Sequence, residues 1–232
     1  MGNGTKFAVI AGCLVLVVAG GWYGGRKAVE HVVHDYILEN PEILPQAMEE
    51  LQRRQNAQQL ASVRSTVETP FPGAVLGNPN GKVTLVEFSD FACTYCRQSL
   101  PDVRALIAKN PDLRIVMREL PVISPRSPDA AKMGLAAAEQ GKYPAFHDAM
   151  FAAGQLDPQS IEAAAQKAGL DMDRARKVAA SKAVEEEIDR NLELARRLGF
   201  SGTPSWIAGD QLIAGAVGMD RLSQAVQAAR GG

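Results

Sequence analysis

Cys93 and Cys96 are the two side chains in this 232-residue chain whose type and spacing point most directly to chemistry. A thiolate is a nucleophile, and thiols three positions apart on a helix lie within reach of each other. The pair follows Val83-Thr-Leu-Val-Glu-Phe88, a short, β-branched, apolar run that predicts a buried strand. It leads into Arg97 to Lys109, where Leu100, Val103, Leu106 and Ile107 predict a helix. Cys93 is therefore expected at a helix N-terminus, where unpaired N–H groups and the helix dipole favour an anion and lower a thiol pKa. In that geometry Cys93 attacks or is attacked, and Cys96 closes or releases a mixed disulfide. A lone C-x-x-C is also half of a zinc site. No second C-x-x-C exists, however, His31 and His34 lie across a linker, and His147 stands alone. Redox chemistry is expected instead, with no metal and no other cofactor.

The bulk composition is consistent with this. Three cysteines are too few for a disulfide scaffold or a four-thiolate site. The 25 basic and 26 acidic side chains nearly cancel, so nothing in the charge balance calls for nucleic acid. With 46% hydrophobic and 22% charged residues the chain is globular in composition. Its length allows one substantial domain and an appendage.

Three segments must position the pair. In residues 1–27, an uncharged run from Phe7 to Gly25 is long enough to cross a ~30 Å hydrocarbon layer as a helix, with Trp22 and Tyr23 at its end. It reads as a retained membrane anchor, and a cleaved signal peptide is the alternative. Cys13 closes Ile10-Ala-Gly-Cys13, similar to a lipoprotein box, but the apolar run before it is too short for a signal. Cys13 is read as a small apolar residue inside the span. Residues 28–70 read as a helical arm. Val29, Val32, Val33, Tyr36 and Ile37 form one stripe, and Asn40-Pro41 is expected to restart the helix as N-cap and first residue. Leu44, Ala47, Met48 and Leu51 extend the apolar face before Glu68 to Gly73 breaks it as a linker. That stripe needs a cover, either its own domain or another copy of the chain through residues 28–65. His31 and His34 share roughly one face of it and read as solvated or interfacial.

Residues 71–232 read as strand, helix, strand, a helical block over about 126–198, strand, strand and helix. The second strand is expected at Arg114 to Leu120, a hairpin turn at Gly209-Asp210, and the last helix from Asp220 to Arg230.

This order, with C-x-x-C after the first central strand and Thr203-Pro204 before the third, resembles an α/β thioredoxin fold with an inserted helical domain. It is similar to the DsbA family of bacterial disulfide oxidoreductases over about residues 75–230. The resemblance implies that Glu87, six residues before Cys93, is the family's buried strand acid and assists proton transfer at the buried thiol. A carboxyl in a buried strand has a raised pKa, which suits that work. The resemblance also implies that Thr203-Pro204 is a cis-proline loop facing the thiols and, with Thr94 and Tyr95 between the cysteines, meets a bound peptide. Strongly oxidising members tend to carry Pro-His where this chain has Thr94-Tyr95, so a less extreme oxidant is expected. Asp35 to Leu44 followed by Met48 to Leu51 resembles the N-terminal segment of ScsC proteins, some of which oligomerise through it and act as isomerases while others are monomeric.

Taken together, these features lead to an expected thiol–disulfide oxidoreductase, oxidase or isomerase/reductase. Its expected partners are unfolded or misoxidised secreted proteins and a membrane redox partner. Its expected place is the bacterial inner membrane with the catalytic domain in the periplasm, or the soluble periplasm if the first segment is cleaved. A Cu(I)-binding protein using the same thiolates is one alternative. A glutathione-transferase-like enzyme is a weaker one, since it needs neither an export signal nor two active-site cysteines.

Overall fold

The computed structural model describes residues 29–230. The expected membrane segment lies outside them. Among the described residues no helix is long and apolar enough to cross a membrane. The chain forms two compact units, one up to Gln52 and one from Arg53 onward.

In the first unit a helix through 29–39, α1, is followed by the start of α2 (Ile43–Ala61). Asn40 does not begin α2 as the sequence suggested. Its side-chain amide and backbone N–H both donate to the Tyr36 carbonyl (2.9 and 3.0 Å), so it closes α1, and Pro41 falls in the turn. Val29, Val32, Val33, Tyr36, Leu38, Leu44, Met48 and Leu51 are all exposed in the single chain. His31 and His34 are exposed beside Asp35.

The second unit is built on five strands: β1 (Val75–Gly77), β2 (Val83–Ser89), β3 (Leu113–Glu119), β4 (Ser205–Ala208) and β5 (Gln211–Ala214), in the order β1-β3-β2-β4-β5. Strands β2 and β3 are parallel and joined through α4 (Thr94–Lys109), whereas the other neighbours are antiparallel. A parallel pair needs such a crossover, and both its faces are covered, which explains the nearly unbroken apolar run of β2. Alternate residues of β2 serve different cores. Leu85 packs with Val103 and Leu106 of α4, Trp206 of β4, and Leu222 and Val226 of α10 (Gly218–Arg230). Val86 and Phe88 face the other way, onto Leu60, Val63, Val67, Leu194 and Leu198.

That second core revises the expected domain boundary. Leu60 lies on α2, and Val67 on α3 (Arg64–Glu68), and both are fully buried, so the C-terminal part of the expected arm is part of the second unit. The start of the segment read as a linker is held as well, at Thr69. The buried Arg118 guanidinium donates to the carbonyls of Thr66, Val67 and Thr69 and to Glu187 (2.5 Å) and Asn191 (3.2 Å) of α9 (Lys182–Arg197).

The helical block comprises α5 (Ser127–Glu139), α6 (Tyr143–Ala153), α7 (Pro158–Lys167), α8 (Met172–Ala179) and α9. Its own core includes Phe146, Met150, Phe151, Ile161 and Leu170, and also takes in Phe91, Cys93 and Cys96. The redox pair therefore sits where the block meets the C-terminal end of the parallel strands.

Candidate active site

Cys93 is the N-cap of α4, with extended backbone (φ −79°, ψ 116°), and its sulfur accepts the Cys96 N–H at 3.3 Å. The Cys93 thiol in turn donates to the Thr203 carbonyl at 3.2 Å. Both cysteines are free thiols and buried, Cys93 at 3% exposure and Cys96 at 1%. Hydrogen bonding from the Cys96 thiol is the main influence lowering the Cys93 pKa. Burial opposes it, and the Thr203 side chain and the N–H groups of Cys96 and Tyr95 add to the lowering. Burial pushes the Cys96 thiol up, helped by its neighbour Cys93 and by the Glu87 charge. Hydrogen bonding thus pulls the Cys93 thiol down while burial pushes the Cys96 thiol up.

Glu87 is buried on β2 between Met117 of β3 and Trp206 of β4. Desolvation raises its pKa to about 8, the Ser89 side chain pulls the other way, and charge on Cys93 raises it further. Its charge acts on Cys96 and helps to hold that thiol protonated.

The Thr203–Pro204 bond is cis. The loop is fixed by Ser205 Oγ donating to the Gly202 carbonyl (2.7 Å), the Gly215 N–H donating to the Pro204 carbonyl (2.8 Å) and the Trp206 indole donating to the Gly215 carbonyl (3.0 Å). Because Ser205 pairs with Phe88, this loop sits at the same end of the sheet as the cysteines. Between the cysteines, Tyr95 is 62% exposed and Thr94 is exposed too.

Several residues at the site escaped the sequence reading. Asp90 accepts from the backbone N–H groups of Ala92, Val122 and Ile123 (each 2.8 Å) and from Ser127 Oγ (2.7 Å). One carboxyl thus ties the turn before Cys93 to the loop after β3 and to the start of α5, leaving Val122 and Ile123 exposed. Glu119, at the end of β3, is buried and accepts from the Tyr143 hydroxyl at 2.6 Å. Burial raises the pKa of both groups. A charged residue closing an apolar strand was the available signal for Glu119. His147 is buried against Phe91, Tyr143 and Phe151 and held below its usual pKa by desolvation.

Among the described residues no group of three or more His, Cys, Asp or Glu side chains is placed to hold a metal ion.

Comparison with known proteins agrees with this geometry. The chain is 39% identical to a thioredoxin-like oxidoreductase from Silicibacter pomeroyi DSS-3 of known structure, covering 68% of this chain and 92% of that one, with a TM-score of 0.64. The catalytic domain of Proteus mirabilis ScsC is 28% identical over 75% of this chain and 98% of its own, with a TM-score of 0.67. Among curated proteins, Na(+)/H(+) antiporter NhaA 3 of Salinispora tropica is 34% identical over 158 residues, covering 67% of this chain and 24% of the antiporter. The chain spans about a quarter of the length of the curated relatives it matches. Residues 26–58 match the copper resistance protein ScsC N-terminal domain. Residues 84–227 match the DSBA-like thioredoxin domain, and the chain belongs to that family.

Proposed function

We propose that this protein is a thiol–disulfide oxidoreductase acting on disulfides of secreted or periplasmic proteins through Cys93 and Cys96. The Cys93 thiolate attacks a client disulfide, forming a mixed disulfide and releasing one client thiolate, which takes up a proton. Cys96 then gives its proton to Glu87 and attacks the Cys93 sulfur, and the second client thiolate leaves. Two electrons pass to the client and the Cys93–Cys96 disulfide forms. Run backwards, the same steps oxidise a client, and the direction follows from the potential of the pair relative to its partner. The observation that carries this reading is the geometry of the pair, a buried Cys93 thiol at the N-cap of α4 that accepts the Cys96 N–H and meets the Thr203 carbonyl beside a cis-proline, with the buried Cys96 thiol three residues on.

Thr203, Pro204, Thr94 and Tyr95 surround Cys93 and are the surface a client chain meets. The exposed apolar stripe of α1 and α2 supports self-association, which favours isomerase or reductase work by presenting several pairs to one client. Periplasmic placement fits a relative described as a periplasmic thioredoxin-like protein from Salmonella enterica serovar Typhimurium. The membrane anchor and a membrane redox partner remain part of the proposal. Cu(I) held by the same two thiolates is the alternative reading, and a competition titration with a Cu(I) chelator separates the two, since binding no tighter than that of a generic dithiol removes it.

Two variants test the roles. Cys93→Ser should abolish reaction with disulfides, whereas Cys96→Ser should accumulate mixed disulfides with clients, visible on non-reducing gels. Turnover by Cys93→Ser would reverse the assignment.

A further inference from the structure

Among the described residues from Arg53 onward, the large apolar side chains left exposed are Tyr95, Val122, Ile123 and Leu192. All but Leu192 adjoin the redox pair. Tyr95 lies between the two cysteines. Val122 and Ile123, 51% and 52% exposed, follow β3 in a loop that the Asp90 carboxylate joins to the turn before Cys93. Both carboxylate oxygens make the joint. Oδ1 accepts from the Ala92 N–H (2.8 Å) and Ser127 Oγ (2.7 Å), and Oδ2 accepts from the Val122 and Ile123 N–H groups (each 2.8 Å). The Asp90 carbonyl accepts the N–H of Cys93 itself at 2.9 Å. The loop is held at either end as well, by the Leu120 N–H donating to the Ser89 carbonyl (2.8 Å) and the Ser124 N–H donating to Ser127 Oγ (3.0 Å). Pro121 and Pro125 stiffen it further.

Asp90 is buried, and a buried carboxylate is costly unless its oxygens are bonded, a need that these four donors meet. What the bonds fix is a pair of β-branched apolar side chains held outward, which lose contact with water only when another chain covers them. We propose that Asp90 is a positioning residue, and that the Val122 and Ile123 it holds form, with Tyr95, an apolar contact for the side chains flanking a client disulfide. Tyr95 already belongs to the surface a client meets, and the Asp90 joint continues that surface across the turn to residues 122 and 123. The client it fits is an unfolded chain. Cysteine and its apolar neighbours are core residues, hidden in a folded protein and offered together by an unfolded or misoxidised one. The inference rests on the exchange reaction proposed above and names the client segments on which that reaction acts.

Two peptides, each with one disulfide flanked either by leucine or by serine, test this as substrates of the full chain with glutathione as electron donor. The parent should favour the leucine peptide about tenfold in kcat/KM, the scale of covering about two methylene groups. Val122→Ser combined with Ile123→Ser keeps both backbone N–H groups for Asp90 and should reduce that preference to about twofold or less, the loss lying in KM for the leucine peptide. An amide accepts on one side only, so Asp90→Asn must break either the turn side or the loop side of the joint. It should lower the preference in the same way, through KM, although both apolar side chains are still present. No preference in the parent, or a preference that survives the double substitution, would overturn the apolar contact. A preference intact in Asp90→Asn, or a loss in kcat shared equally by both peptides, would overturn the positioning role. Failure of the parent to reduce either peptide would instead remove the exchange reaction itself.

Discussion

The Glu87 carboxyl lies between Met117 and Trp206 in the sheet, and desolvation is the largest influence on its proton, opposed by the Ser89 side chain and reinforced by charge on Cys93. Its pKa is pushed up to about 8. The unfolded chain ionises this group near pH 4.5 and the folded one near 8, so between those values the folded state binds more protons. Stability should therefore be unaffected by Glu87 below about pH 4.5, fall as pH rises from there to about 8, and level off above it. Glu87→Gln cannot ionise. It should stabilise the reduced protein by on the order of 3 kcal/mol at pH 8.5 and hardly at all at pH 4. Denaturant melts at the two pH values check this, and an equal effect at both would mean that Glu87 is not held protonated by the fold. The same variant should slow the Cys96 step, since its proton then has no acceptor. At this scale the type and spacing of Cys93 and Cys96 pointed to chemistry directly, whereas Glu87 entered through a family resemblance. It was silent on Glu119 and Tyr143, which meet across 24 positions.

Among the elements, β2 and α4 were legible because an apolar run and a helical stripe flank the cysteines directly. Strand β1 was not, because three residues carry no pattern and are held only by pairing with β3. The Arg118 clamp was missed for a related reason. Backbone carbonyls have no sequence signature, and Arg118 finds those of Thr66, Val67 and Thr69 some fifty positions away. This clamp fixes α3 against the sheet. Arg118→Leu would leave the buried Glu187 with Arg190 as its remaining arginine partner and take a donor from three backbone carbonyls, a loss of about 2 kcal/mol or more. The denaturant midpoint should fall accordingly, and amide exchange should rise in residues 64–70 ahead of the strands. If exchange rose evenly across the sheet instead, the clamp would have no local role.

For the whole molecule, the contrast lies between a catalytic unit with three well-filled cores and an N-terminal unit whose large apolar side chains are exposed in the single chain. An amphipathic helix face of this kind gains stability only when covered. The chain from residue 29 onward should therefore have a molar mass of more than one chain by light scattering. Val32→Glu together with Leu51→Glu should return it to one, leaving reaction with small disulfides unchanged. A single-chain mass before any substitution would rule out the arm as a self-association surface.

The claim on which the account turns is that Cys93 and Cys96 form a working redox couple, and the most direct test is their reduction potential against a glutathione buffer. The account predicts one reversible two-electron transition, lost in both Cys93→Ser and Cys96→Ser, with a potential above that of an unactivated dithiol because the Cys93 thiolate is stabilised in the reduced state. A pair that never closes reversibly into a disulfide across the buffer range would contradict it.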